Sequence, residues 1–378
     1  MRTEDLGNHV SILSGSAFKS SAFNRDGKGL PLIRIRDVKA GCSKTFYDGP
    51  YDDKFVIDNG DLLIGMDGEF NRANWNGGKA LLNQRVCKLE VSSKHLDKQY
   101  LYHFLPPMLK RIEDDTPFVT VKHLSAKTLR QSKIPLPPLP EQKRIAAILD
   151  QADALRRQRH RALDRLDQLG QSIFYDMFGD PVENTKGFQI VKLSEAGSLD
   201  RGVSKHRPRN HPALLGGDHP LVQTGDVSNA GDYLRSYSKT YSETGLRQSK
   251  KWAAGTLCIT IAANIANTAI LDFDACFPDS VVGFVPNNDF SSLFIHYWFK
   301  SVREDIERLA PAVAQKNINL RILRDLDLIA PDRTQQETFS KRLQILERAK
   351  LETANALSST ETLFSSLQHC LFSGNIQC

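Results

Sequence analysis

The stretch MDGEFNRANWNGGK at residues 66–79 brings Glu69, Asn71, Arg72, Asn74, Trp75 and Asn76 close together. Arginine pairs bidentately with a guanine edge, asparagine with adenine, and a carboxylate accepts from cytosine. These residue types could therefore read bases. A later stretch, IAANIANTA at 261–269, offers Asn264 and Asn267. Turn chemistry alone accounts for the same Asn and Gly content. Cations gather in two loops: Lys19, Arg25 and Lys28 in FKSSAFNRDGKG, and Arg201, Lys205, Arg207 and Arg209 in LDRGVSKHRPRNH. Such loops suit phosphate contacts, which give affinity and register; a solvated surface loop has the same composition. Lys122 and His123 in VTVKHLSAKTL answer to Lys316 and Asn317 in VAQKNINLRIL, with a helix N-cap as the second reading of Asn317. Arg34 and Arg36 of LPLIRIRDVKAG and Gln223 of HPLVQTGDVSNAG complete the candidate set.

Catalytic signatures are missing. There is no phosphate-binding G-x-x-x-x-G-K-[ST], no G-x-G-x-x-G, no H-E-x-x-H and no G-x-S-x-G. The Asn/Asp-Pro-Pro-aromatic tetrapeptide of amino-methyltransferases is also lacking. Asp61, Asp67 and Glu69 sit in a turn setting where acids shape loops, so no catalytic residue is expected. The net charge of +6 permits an anionic partner without demanding one. No apolar run approaches the ~20 residues of a membrane helix, and the polar start is no signal peptide. The six cysteines form no C-x-x-C pair and no metal-like spacing with His. Free thiols, no metal and a cytoplasmic location are the expectation.

The elements that would position these residues are written twice. LPLIRIRDVKAG (30–41) matches HPLVQTGDVSNAG (219–231), and NGDLLIGMDGEF (59–70) matches AGTLCITIAANI (254–265). In a third pair, Lys122, Leu129, Pro137 and Gln142 face Lys316, Leu323, Pro331 and Gln336 at a constant offset. Each half has short alternating strands between Gly/Asn/Asp turns, then a proline stop and one long helix. The helices are predicted from about Glu141 to Phe178 and from about Gln335 to Leu371. Apolar steps of three and four, including Leu155, Leu166, Leu169 and Ile173, predict a coiled-coil seam, with Arg159, Lys350, Thr353 and Thr360 as polar members. The prolines from Pro135 to Pro140 end a strand and stiffen the joint. RRQRHRALDR at 156–165, interleaved with acids, reads as a salt-bridging helix face. The expected fold is α+β: similar domains at 1–138 and 181–331, separated by long antiparallel helices at 139–180 and 332–378. Two heads on a strut of ~57 Å, from ~38 residues at ~1.5 Å each, would suit a bipartite DNA site.

With KIPLPPLPEQKRIAAILDQADAL (133–155), SIFYDMFGDP (172–181), NGDLLIGMDG (59–68) and AQKNINLRILRDLDLIAP (314–331), the chain resembles the specificity subunits of type I restriction–modification systems. The resemblance covers the whole chain. It implies two target recognition domains, each reading half of a split site on double-stranded DNA, and a subunit that is not itself an enzyme. It also implies two modification (methyltransferase) subunits and restriction/translocase subunits as partners. S-adenosylmethionine, ATP and Mg would belong to those partners. Gln142, Arg144, Phe174 and Phe178 lie in the motifs that carry the resemblance and are the expected partner contacts. The second joint, APDRTQQETF, departs from the pattern by losing most prolines and the Glu. The rival readings are a two-headed scaffold without DNA specificity and a self-sufficient methyltransferase or nuclease.

Overall fold

The computed structural model describes residues 2–116, 122–262, 265–309 and 318–373. The chain forms two compact units: Met1–His160 with Ala356–Cys378, and Arg161–Asn355.

In unit 1, antiparallel strands run in the order Val10–Ser14, Val86–Val91, Leu62–Gly65, Asn71–Asn74. A second sheet runs Phe23–Asn24, Phe46–Tyr47, Leu30–Ile33, Ala80–Leu82, Val56–Ile57, with Leu30–Ile33 parallel to Ala80–Leu82. The proline-rich stretch enters as Lys133–Pro135, antiparallel to Thr3–Asp5 in a two-stranded sheet. Both strands there are edges, where a missing donor is tolerated. The helices are α1 (Ile35–Ala40), α2 (Lys98–Asp115), α3 (Ala126–Gln131) and the first part of α4 (Leu139–Phe178).

Unit 2 repeats this topology. Gly197–Arg201, Val281–Pro286, Leu257–Thr260 and Thr268–Leu271 follow the same order, extended by Tyr233–Leu234. The second sheet runs Lys239–Tyr241, Leu215–Leu221, Ala275–Cys276, Lys251–Trp252, again with a parallel pair inside. Gln189–Lys192 pairs with Asp327–Ala330. Its helices are α5 (Thr224–Asn229), α6 (Glu243–Arg247), α7 (Ser292–Leu309), α8 (Leu320–Arg324) and most of α9 (Arg333–Ser373), whose last part belongs to unit 1.

The repeated residues explain the repeated shape. Asp37 accepts from the Arg34 amide at 2.9 Å and Asp226 from the Gln223 amide at 2.8 Å. The shared Asp-Val is thus a helix-start signal for α1 and α5. Leu62–Gly65 and Leu257–Thr260 are buried throughout, which is why both read as short unbroken apolar runs. Gln142 and Gln336 do the same work at the two joints. Gln142 Nε2 donates to the His95 and Pro137 carbonyls, both at 2.8 Å, while its Oε1 accepts from the Asp97 amide at 2.8 Å. Gln336 Nε2 donates to Asp289 O (2.9 Å) and Pro331 O (3.0 Å), and its Oε1 accepts from Ser291 N (3.0 Å). Each glutamine staples the first turn of a long helix to the start of an earlier helix of the same unit, α2 or α7. The second joint keeps this staple despite its lost prolines.

In unit 1, Leu101, Leu105, Leu129, Ile134, Ile145 and Leu149 share a core with Phe364 and Leu371 of α9. In unit 2, Phe174 and Phe178 of α4 pack with Phe294 and Tyr297 of α7 and with Phe339 of α9. The helix segments run antiparallel within each unit. Arg156 lies over Phe364 and His160 pairs with Glu361 in unit 1; Lys350 pairs with Asp167 and Arg342 with Asp176 in unit 2. Polar seam residues are satisfied locally: Thr353 and Thr360 donate to Ala349 O and Ala356 O, both at 2.7 Å.

The structure corrects two expectations from the sequence. Leu155 and Leu169 are exposed, so they lie off the seam. Around Leu169 the buried position is Gly170, where a Cβ would stand 2.4 Å from the Tyr297 hydroxyl. A close approach at glycine leaves no apolar mark in the sequence. Cys42, Cys87, Cys258 and Cys276 are free, but Cys370 is disulfide-bonded, contrary to the expectation of free thiols throughout. The absence of C-x-x-C excludes only the tightest closures.

Candidate nucleic-acid interface

The loop before the Leu30–Ile33 strand is shaped by Asn24. Its Oδ1 accepts from the amides of Asp26 (3.2 Å) and Lys28 (3.1 Å), and its Nδ2 donates to Lys28 O (3.0 Å). This Asx-type turn leaves Lys19, Arg25 and Lys28 exposed. Arg36 of α1 is exposed as well, 3.7 Å from Asp37, whereas Arg34 is half-buried and donates to Thr45 Oγ1.

The 66–79 stretch forms a hairpin end and a strand. Glu69 is exposed and paired with Lys39. Asn71, Arg72 and Asn74 occupy the Asn71–Asn74 strand and are half-buried. The Arg72 guanidinium stacks on Tyr102 of α2, 3.3 Å from the ring centroid. Burial draws its pKa down, opposed by Tyr102 and by Asp153 of α4. This arginine ties the sheet to the helices. Trp75 is buried and donates to Gly78 O at 2.6 Å, so it is a core residue rather than a base contact. Side chains that look alike as a string are thus sorted by the fold: Arg72 onto Tyr102, Trp75 into the core. Asn76, past the strand, is exposed. His123 is exposed and its Nδ1 lies 2.6 Å from Asp67 Oδ1, beside the Arg85–Asp67 pair. Lys122 donates to Glu113 O.

In unit 2, Arg201 ends the Gly197–Arg201 strand, and Lys205, Arg207 and Arg209 follow in an exposed loop. Gln248 fastens this loop, with its Oε1 accepting from the amides of Lys205 (2.6 Å) and His206 (3.0 Å). Arg207 and Arg209 both pair with Asp279. Gln223 is half-buried at the start of α5, and Asn267 Nδ2 donates to Ser228 Oγ at 3.0 Å. Asn264, Lys316 and Asn317 lie outside the described residues; the N-cap of α8 is Asn319, which accepts from Ile322 N at 2.9 Å.

Sequence reasoning missed a buried network in unit 2. Asp232 accepts from Tyr297 OH (2.6 Å) and Lys300 Nζ (2.6 Å) and lies 3.1 Å from His296 Nε2. Burial disfavours the Asp232 charge, but the His296 hydrogen bond and the Lys300 charge outweigh it and hold the pKa well below the usual carboxylate range. The same burial pushes His296 down. Sixty-four positions separate Asp232 from His296, and no local spacing announces the pair.

The expected partner contacts divide. Arg144 is exposed in the first turns of α4, in a bidentate pair with Glu141 (2.7 and 2.8 Å). Gln142, Phe174 and Phe178 are fully buried, so they serve the staple and the core rather than a docking surface.

Comparison with known proteins bears on what this duplicated face serves. The type I restriction modification DNA specificity domain matches twice, over residues 1–165 and 185–359, one match for each copy of the repeat. The chain belongs to this family. It is a specificity subunit of a type I restriction–modification system, and the family resemblance and α+β architecture expected from the sequence hold. It is 30% identical over 400 residues to the type I restriction enzyme EcoBI specificity subunit of Escherichia coli, covering 97% of this chain and 84% of that protein. It is 22% identical to the MjaVIII specificity subunit of Methanocaldococcus jannaschii, covering 87% and 79%. Its fold resembles a crystal structure of a type I restriction–modification S subunit from M. genitalium (TM-score 0.56, 15% identity, 98% and 96% covered). It also resembles a chain solved in work on complex assembly and conformational transition of the type I R-M system (TM-score 0.61, 16% identity, 98% and 97% covered). For this specificity subunit, no described helix is long and apolar enough to cross a membrane.

Proposed function

We propose that the subunit reads a split site on double-stranded DNA, one half per unit, and presents that site to modification and restriction subunits while carrying no catalytic centre. The observation that carries the reading is the paired design. Two units of one topology each present an exposed basic loop ahead of matching strands, Lys19–Arg25–Lys28 in one and Arg201–Lys205–Arg207–Arg209 in the other. Phosphate contacts from these loops would set register. Asn76 and His123 of unit 1, together with Gln223 and Asn267 of unit 2, are the candidates for base edges. Arg72 and Trp75 are assigned to packing.

Arg144 in unit 1 and, separately, the exposed apolar residues Tyr175, Ile345 and Leu351 in unit 2 supply candidate surfaces for two modification subunits. S-adenosylmethionine, ATP and Mg belong to the partner subunits, and the assembly works in the cytoplasm. A gel shift of the full chain on random duplex at rising salt tests DNA binding: affinity should fall steeply and linearly on a log–log scale. A protein-binding scaffold would show no such shift. Capture of the modification subunit should weaken with Arg144→Glu; unchanged capture would move that contact elsewhere.

A further inference from the structure

The basic loop of unit 2 is held by two kinds of contact. The first is neutral. Gln248 fixes the amides of Lys205 and His206 and donates from Nε2 to Gly245 O at 3.1 Å. Ser249 Oγ donates to Val203 O at 2.7 Å. Arg207 Nη1 donates to the carbonyls of Ser204 (2.6 Å) and His206 (2.9 Å). These bonds fix the backbone and one guanidinium without an acid.

The second kind is ionic. Asp279 lies in the segment between the strands Ala275–Cys276 and Val281–Pro286. One of its oxygens pairs with Arg209 Nη2 and the other sits 3.6 Å from Arg207 Nη2. The side chains of Arg207, Arg209 and Asp279 retain 55%, 44% and 37% exposure, so a phosphate can reach the same guanidinium groups. A carboxylate and a phosphate offer arginine the same kind of acceptor, and an exposed ion pair is weak enough to be exchanged.

We propose that Asp279 sets the affinity of this loop for DNA: it is a resident carboxylate that occupies Arg207 and Arg209 until DNA phosphate displaces it. The inference rests on the reading of this loop as a phosphate contact. Phosphate contacts favour every sequence alike. A competing carboxylate therefore weakens binding to target and non-target DNA by the same factor and leaves the preference between them to the base contacts. Because the neutral contacts already hold the loop, losing Asp279 should release the arginines rather than disorder them.

The test measures binding of the full chain to a short random-sequence duplex at low salt. Asp279→Asn keeps an acceptor oxygen and removes the charge; it should tighten binding about threefold to tenfold, the range expected for freeing two exposed ion pairs. Asp279→Ser should act in the same direction. The gain should shrink at high salt and disappear in an R207A/R209A background. Asp218→Asn, which removes an exposed carboxylate elsewhere in unit 2, should have much less effect. Equal or weaker binding by D279N, or an equal gain from D218N, overturns the role of Asp279. If R207A/R209A leaves affinity and salt slope untouched, the loop reading itself falls, and the inference with it.

Discussion

Replacing Gln142 by Met keeps the length and approximate volume of the side chain and removes every polar atom. The Asp97 amide and the carbonyls of His95 and Pro137 would then lose a partner that is itself fully buried, the Pro137 bond closed to solvent and the other two partly open to it. An orphaned buried group costs ~1–3 kcal/mol. Relaxation and partial hydration make such losses less than additive, so a loss of about 2–4 kcal/mol is expected from unit 1. Gln336→Met should cost a similar amount in unit 2, where Ser291, Asp289 and Pro331 are the groups affected. Pro138→Ala and Glu141→Ala should each cost under ~1 kcal/mol, because the second joint keeps its staple with Asp332 and Gln335 in their places. Urea unfolding followed by tryptophan emission separates the units: Trp75 lies in unit 1, Trp252 and Trp298 in unit 2. A shift worth less than ~1 kcal/mol for Gln142→Met, or one seen only by the unit 2 tryptophans, would refute the staple.

Changing Arg201, Lys205, Arg207 and Arg209 to Ala should flatten the slope of log K against log salt by about 0.9 for each phosphate no longer neutralised; an unchanged slope makes the loop a solvated one. Gly170→Ala sets a methyl against the Tyr297 hydroxyl and should cost about 1–3 kcal/mol. Tyr297→Phe should recover part of that loss in the double variant, and purely additive costs would contradict the contact. Burial lowers the pKa of His103, despite its bond to Asp150. The unfolded chain, with histidine near ~6.5, therefore binds the proton first as pH falls. Stability should be complete above about pH 6.5 and decline below it by up to about 1.4 kcal/mol per pH unit for this histidine. The decline should flatten in His103→Gln, and urea midpoints across that range check it. The depressed Asp232 carboxylate adds stability that is present above its unfolded pKa near ~3.9 and lost only in stronger acid.

Much of the fold is legible in advance because it rests on local signals used twice: the Asp that starts α1 and α5, the unbroken apolar strands, and the proline joint before α4. The interface is less legible. A string of Asn and Arg residues does not say which face of a strand each occupies. Arg72 and Trp75 therefore read as base contacts, although one stacks on Tyr102 and the other is buried. Gln142 and Phe174 lie in the stretches that carry the family resemblance and so read as partner contacts, although both are fully buried. Pairs such as Arg209–Asp279 and Asp232–His296 are made by topology across long separations.

If each unit reads half of one DNA site, sequence selection should show both halves at once. The full chain, assembled with its modification subunits, would be incubated with a randomised duplex library, and the methylated molecules sequenced. Two defined half-sites around an unspecified spacer are expected. Asn76→Ala with His123→Ala should change only one half, by about 1–3 kcal/mol of discrimination for each base no longer read. A single contiguous motif, or both halves changing together, would contradict the division of the site between the units.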